Sequence, residues 1–190
     1  MDKAELRKKI LSLRNGLNTE EAESKSSIIV DRLTSLDAYK NSKAVFVYMS
    51  FKNEVNTHGL IERMLSEGKR VVIPYTDTKN TEIIPSEIKS LKDDMVLNSF
   101  GYYEPVLDKV KQVRTKELDL IIAPGVVFDE DLNRIGFGKG YYDRILGRKR
   151  KDAAIIAVAY EFQVVDHVPT EVHDVKMDMI ITEKRTIGEQ

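Results

Sequence analysis

Apolar residues recur at Leu6, Ile10, Leu13 and Leu17, three or four positions apart, with charged residues between them. That spacing predicts an amphipathic helix over residues 3 to 14. Asn15-Gly16 supplies a stop, because both residues tolerate a left-handed backbone. Asn18 and Glu21 have the spacing of a capping box opening a second helix, with Ala22, Ile29, Leu33 and Leu36 on its apolar face. The pattern changes at A-V-F-V-Y-M (44–49), a continuous run rich in strand formers. A helix over 57 to 67 stops at Gly68, and R-V-V-I-P-Y (70–75) is the next strand, its proline marking a strand end or an edge. Residues 76 to 117 have no clean period; T-E-I-I-P predicts a short strand, and the rest loops, short strands and a single helical turn. Order returns in L-D-L-I-I-A-P-G (118–125), a buried strand with a Pro-Gly turn. A helix over 140 to 148 follows, then the strands A-A-I-I-A-V-A-Y (153–160) and M-D-M-I-I-T (177–182).

Continuous apolar strands alternating with helices predict an α/β fold, one domain across 1–190, with its sheet covered on both faces. In such sheets ligands bind beyond the carboxyl ends of strands. Composition adds exclusions. Lys plus Arg is 30 and Asp plus Glu 31, a formal net charge of -1, which argues against a dedicated nucleic-acid binder. With no cysteine, disulfides, thiol catalysis and cysteine-ligated metals are excluded. The first ten residues are charged throughout, and no apolar run is long enough to span a bilayer, so the expectation is a cytoplasmic protein away from membranes.

The stretch R-I-G-F-G-K-G-Y-Y-D-R (134–144) carries the chemistry. Gly136, Gly138 and Gly140 let a ligand touch their backbone N–H groups. Lys139 adds a point charge, Arg134 a forked one, and the following helix its positive end. Together these favour a phosphate over a plain glycine turn, and Asp143 is placed to hold a magnesium ion accompanying a polyphosphate. The spelling is not a Walker A loop, since Gly140 follows Lys139 where Ser or Thr is needed. Nor is it a dinucleotide fingerprint, since Tyr141 stands at the third glycine position.

G-F-G-K-G-Y-Y-D-R resembles the signature of the 5-formyltetrahydrofolate cyclo-ligase family, also called methenyltetrahydrofolate synthetases. K-A-E-L-R, M-S-F-K-N-E-V-N-T, P-G-V-V-F-D-E-D-L-N-R-I-G-F-G-K-G-Y-Y-D and H-D-V-K-M-D extend the resemblance over most of the chain. It implies a three-layer α/β/α fold with a mixed, largely parallel sheet. It also implies ATP-dependent closure of 5-formyltetrahydrofolate, polyglutamylated forms included, to 5,10-methenyltetrahydrofolate with release of ADP and phosphate, and Mg2+ as the metal. By the same resemblance, Lys3 and Arg7, four apart on one helical face, reach the ATP phosphates together with Arg134, Gly136, Gly138, Lys139, Gly140 and Tyr142. Met49, Glu54, Phe137 and Tyr141 meet the folate, Glu54 through the pterin N–H groups. Lys139, Tyr141 and Arg134 are the catalytic candidates. Asp143 and Asp174 are the metal candidates, with Asp178 a rival to Asp174. Arg144 is expected to pair with Asp143 or with phosphate.

Blander readings stand beside these. Lys3 and Arg7 are also the pattern of a solvated basic face, Glu54 of an exposed loop acid and Met49 of plain core. Phe51 and Lys52 receive no role. R-K-R-K (148–151) follows a helix C-terminus, where cations are favoured anyway, although it would also attract polyglutamate. His58, His167 and His173 are scattered, without metal spacing. The competing functions are a non-catalytic or differently specific nucleotide-binding relative, and a nicotinamide-dependent oxidoreductase. Lys3, Arg7 and Glu54 weigh against the first and Tyr141 against the second.

Overall fold

A computed structural model describes residues 1–92 and 95–188; Asp93 and Asp94, within the aperiodic 76–117 stretch, and the terminal Glu189 and Gln190 lie outside the described residues. Its centre is a seven-stranded sheet. Five strands are parallel: β1 (Ala44–Val47), β2 (Arg70–Asp77), β6 (Leu120–Ala123), β9 (Ala154–Val158) and β11 (Met179–Ile181). Antiparallel strands β3 (Glu82–Ile88) and β12 (Thr186–Ile187) close the two edges, and the order is β12-β11-β9-β6-β1-β2-β3. The α/β expectation therefore holds, with the predicted strands shortened at their ends. Every residue of β1, β6 and β11 is buried, as continuous apolar runs require when both faces are covered.

Alternation along the strands divides the core. Val45, Val47, Ile122 and Val158 meet Ile29 and Leu33 of α2 (Thr19–Ser35), Tyr39 of α3 (Asp37–Lys40) and Leu60 and Met64 of α4 (His58–Ser66). Phe46, Ile121 and Ala157 meet the opposite layer, whose one helix is α5 (Tyr141–Leu146) among the described residues, supplying Ile145 and Leu146. The three layers are thus lopsided. Predicted over 140 to 148, α5 is only six residues, so the expected helix-end attraction for phosphate is small.

Helix α1 (Lys3–Asn15) packs elsewhere. Its Leu6 and Ile10 cover a small sheet, β10-β7-β8, against Val126, Val127, Ile135 and Val168. The sequence pattern did not reveal the hairpin of β7 (Val127–Asp129) and β8 (Arg134–Ile135), to which β10 (Val164–Val165) adds in parallel. The hairpin turn is tied by Asp129, whose carboxylate accepts from Asn133 N and Nδ2 and from Val168 N. Leu13, expected on the apolar face of α1, is 50% exposed; Arg14 takes the buried position instead. Gly16 caps α1 in a right-handed conformation (φ −80°), not the left-handed one expected. Asn18 does cap α2, accepting from Glu21 N.

Pro74 is not on an edge: β2 lies between β1 and β3. Its pairing with β1 ends at Val72, so no ladder on that side needs the missing N–H. The 76–117 stretch is more ordered than its pattern suggested: β3 runs through P-S-E-I, and β4 (Met95–Leu97) and β5 (Tyr103–Pro105) form a hairpin. Two 3-10 turns, Leu107–Lys109 and Thr115–Glu117, replace the single expected helical turn.

Candidate active site

The chain leaves β1 toward β2 on one side, yet β6 pairs on the other side of β1. Strand order reverses there, and the loops beyond the two carboxyl ends diverge to leave a crevice. A cleft of about 510 Å³ occupies this position, lined by the loop after β1, the end of β2, and the glycine stretch beyond the β7–β8 hairpin. Met49, Glu54, Phe137 and Tyr141, the folate candidates, line the same cleft as Lys3, Arg7, Arg134, Gly136, Gly138, Lys139, Gly140, Tyr142, Asp143 and Asp174.

The glycine stretch passes over Arg7, whose Nε donates to Gly136 O at 2.8 Å. Gly138 (φ +96°) and Gly140 (φ +70°) adopt backbone that L side chains rarely enter, and a Cβ on Gly138 would stand 3.3 Å from the Arg7 guanidinium. A Cβ on Gly136 would lie 2.8 Å from Arg134 Nη1. Lys139 is exposed, with its ammonium 4.8 Å from the centroid of Phe100. Arg134 stands in the cleft wall. It is buried; Nη1 donates to Pro124 O at 3.2 Å and Nη2 to Asp143 Oδ1 at 2.8 Å, so its fork faces the protein rather than the open cleft. Arg144 does not pair with Asp143; it donates to Thr81 O.

On the opposite wall the loop after β1 is held by reciprocal bonds, Ser50 N to Thr57 Oγ1 and Thr57 N to Ser50 Oγ, with Thr57 Oγ1 donating to Tyr48 O. His58 serves this loop, its ring 3.1 Å from Ser50 O. Glu54 is 7% exposed rather than a solvated loop acid. Burial raises its pKa to about 7, against the opposing pull of Arg14 and of Phe51 N, which donates to Oε2 at 3.2 Å. Met49 is both cleft lining and part of the first core cluster. Burial also raises the Tyr142 phenol, with Tyr102 and Glu54 adding to it; its ring meets Phe46 edge-on at 6.2 Å. Tyr141 faces Phe100 at 6.2 Å.

Lys3 bridges to Asp174 at 2.6 Å and to Glu171 at 3.0 Å. Burial tends to lower the Lys3 pKa and to raise that of Asp174, but the ion pair wins at both, moving Lys3 up and Asp174 down. Ligand atoms of Glu171, His173 and Asp174 all lie within 4.8 Å of one another. His173 therefore belongs to the cleft, contrary to the reading of scattered histidines. Magnesium takes oxygen ligands, commonly one or two carboxylates completed by phosphate oxygens, so Asp174 and Glu171 suit it and the imidazole does not. Asp178 is elsewhere, accepting from Ile155 N at 2.6 Å.

The pattern missed Arg14, Phe51, Lys52, Phe100, Tyr102, Glu171 and His173. Arg14 alone carried a signal: it lies four residues after buried Ile10 on the stripe that holds Leu6. The aromatic residues meet across the cleft, Phe51 standing 5.6 Å from Tyr102 and 6.2 Å from Phe137. Within R-K-R-K, Arg148 pairs with Glu82, Arg150 with Asp119 and Asp152, and Lys149 donates to Ala153 O.

The profile of the 5-formyltetrahydrofolate cyclo-ligase family matches residues 1–183. A mouse (Mus musculus) 5-formyltetrahydrofolate cyclo-ligase is 29% identical over 189 residues, 95% of this chain and 91% of the relative. One from Haemophilus influenzae is 30% identical over 177 residues, 91% and 93% of the two chains. The NMR structure of Aquifex aeolicus 5,10-methenyltetrahydrofolate synthetase superposes with a TM-score of 0.85 at 36% identity, covering 98% of this chain and 92% of that one. The synthetase from Mycoplasma pneumoniae gives 0.78 at 30% identity, covering 96% and 99%. Among the described residues no helix is long and apolar enough to cross a membrane. Motif, fold and cleft agree with these matches: the chain belongs to the 5-formyltetrahydrofolate cyclo-ligase family.

Proposed function

We propose that this cleft binds ATP and 5-formyltetrahydrofolate side by side and carries out the family's reaction, ATP-dependent conversion of 5-formyltetrahydrofolate to 5,10-methenyltetrahydrofolate. The observation that carries this reading is the position of the glycine stretch and buried Glu54 on facing walls of one crevice at the strand-order reversal. A formamide oxygen is a poor leaving group. Its attack on the γ-phosphorus releases ADP and makes the oxygen a phosphate ester; N10 then attacks the formyl carbon, loses its proton, and phosphate departs. The protein's work is alignment and charge neutralisation.

Lys139, Arg7 and the N–H groups of Gly136, Gly138 and Gly140 receive the phosphates in this reading. Glu54 accepts from the pterin N–H groups, while Met49, Phe137 and Tyr141 enclose the folate and Tyr142 borders the formyl region. Arg134 acts by holding Asp143. Asp174, with Glu171, and the remaining oxygen of Asp143 would hold magnesium, which supplies charge neutralisation on the phosphates when bound. Lys3 then moves from these carboxylates to phosphate. Magnesium dependence and a cytoplasmic setting belong to the same proposal.

The test is a spectrophotometric assay of the purified protein with 5-formyltetrahydrofolate and MgATP, following the methenyl chromophore beside an ATP-free control and Lys139→Ala. Product that requires ATP and falls at least about tenfold in the variant is expected. Folded protein that binds ATP but forms no product would identify the other reading, a differently specific relative.

A further inference from the structure

We infer that Arg14 is a positioning residue for the reaction: from the last turn of α1 it holds a positive charge against Glu54 and braces Phe137, joining the folate wall to the glycine stretch. The inference rests on the reading of Glu54 as the folate carboxylate. Arg14 is 2% exposed, and its Nη1 stands 4.0 Å from Glu54 Oε1. Its guanidinium lies 5.6 Å from the centroid of the Phe137 ring. The Arg14 backbone carbonyl accepts from Asn53 Nδ2 at 3.0 Å, so the same residue also fixes the loop that carries Glu54.

The spacing is the informative feature. A direct bidentate pair would occupy both the guanidinium and the carboxylate lone pairs. At 4.0 Å the positive charge acts on Glu54 without a hydrogen bond, and among the described residues Oε1 accepts none. Arg14 Nε is buried without a partner. A buried charge pair left incompletely bonded is costly, and a ligand that supplies N–H donors to Oε1 completes it. The groups facing Glu54 are Arg14 from α1, Lys52 from its own loop, Tyr48 from the end of β1, Tyr142 from α5, and Tyr160 beyond β9. Arg14 and Lys52 are the cations, and Lys52 is exposed, so among the described residues Arg14 is the one buried charge that favours the carboxylate.

The experiment compares Arg14→Met, Arg14→Lys and Glu54→Gln by steady-state KM for 5-formyltetrahydrofolate and for ATP, and by the pH profile of kcat/KM for the folate, with melting curves as the folding control. In Arg14→Met the folate KM rises about tenfold or more near neutral pH, the ATP KM stays within about twofold, and the acid limb moves up by about one pH unit. The defect therefore shrinks in alkaline buffer. Arg14→Lys, which keeps the charge, leaves the limb near its wild-type position. Should Arg14→Met fail to fold, Arg14→Gln carries the same test. An unchanged folate KM in Arg14→Met, with Glu54→Gln impaired, would overturn the inference. So would equal rises in both KM values with an unmoved acid limb, which mark simple support of α1. An unchanged folate KM in Glu54→Gln would instead sink the underlying reading of Glu54.

Discussion

A carboxylate on the loop after a strand ordinarily meets water, and its ionisation then costs folding nothing. Glu54 is buried, and its pKa rises from 4.5 to about 7. The folded chain thus holds a proton that the unfolded chain has released, and stability falls as pH rises through that window. Glu54→Gln removes the titration but leaves Arg14 without its counter-charge, a penalty that does not vary with pH in this range. Melting temperatures of the two proteins should therefore shift in favour of the variant between about pH 4.5 and about pH 7 and run parallel above it. A constant difference across the window would mean that Glu54 is not the titrating group. In the proposed reading activity runs the other way, since the ionised carboxylate would be the acceptor; kcat/KM for the folate should rise through about pH 7.

The loop between β8 and α5 is an element whose shape depends on glycine at specific points. An alanine at Gly138 forces a positive φ on a residue with a Cβ and presses 3.3 Å from the Arg7 guanidinium. The conformational strain alone is of order 1–3 kcal/mol. Gly138→Ala should lower the melting temperature by a few degrees and raise the ATP KM about tenfold, leaving the folate KM nearly unchanged. Gly140→Ala, with open space around its Cβ, should show the milder effect of the backbone strain. Equal damage from both substitutions would argue that contact with Arg7 is unimportant. Because α5 has only six residues, the proposed phosphate recognition rests on these N–H groups and cations rather than on a helix terminus.

At the scale of the molecule, α1 is joined to the rest by a core separate from the two that cover the seven-stranded sheet. Burial of Leu6 and Ile10 contributes about 1.5–3 kcal/mol each, an upper estimate. The helix nevertheless delivers Lys3 and Arg7 to the cleft and Arg14 to the side of Glu54. A chain lacking residues 1–16 should keep the far-UV signature of the sheet and of α2 to α4 but lose turnover. Complete unfolding of that chain would show that the small sheet and the large one are a single cooperative unit.

Periodicity along the chain was sufficient for the α/β class, for α2 and α4, and for the five parallel strands, because each buries a continuous or regularly spaced apolar set that only one local conformation can present. The glycine stretch and its cations were legible for the same local reason: bare backbone beside Lys139 has few uses. Position in space was not legible. Residues 76–117 form strands through hairpins, β3 with β2 and β4 with β5, but their mixed burial leaves neither a continuous apolar run nor a strict alternation to read. Arg14 was not singled out because the stripe it occupies turns from the small sheet toward Glu54, a rotation set by what α1 packs against. Glu171, His173 and Asp174 are gathered by a local turn, in which Glu171 N donates to Asp174; that this turn meets Lys3, 168 to 171 residues away in sequence, was set by packing. Local chemistry is written in the order of residues; which charges face one another, and hence which are buried, paired or available to a ligand, was decided by long-range packing.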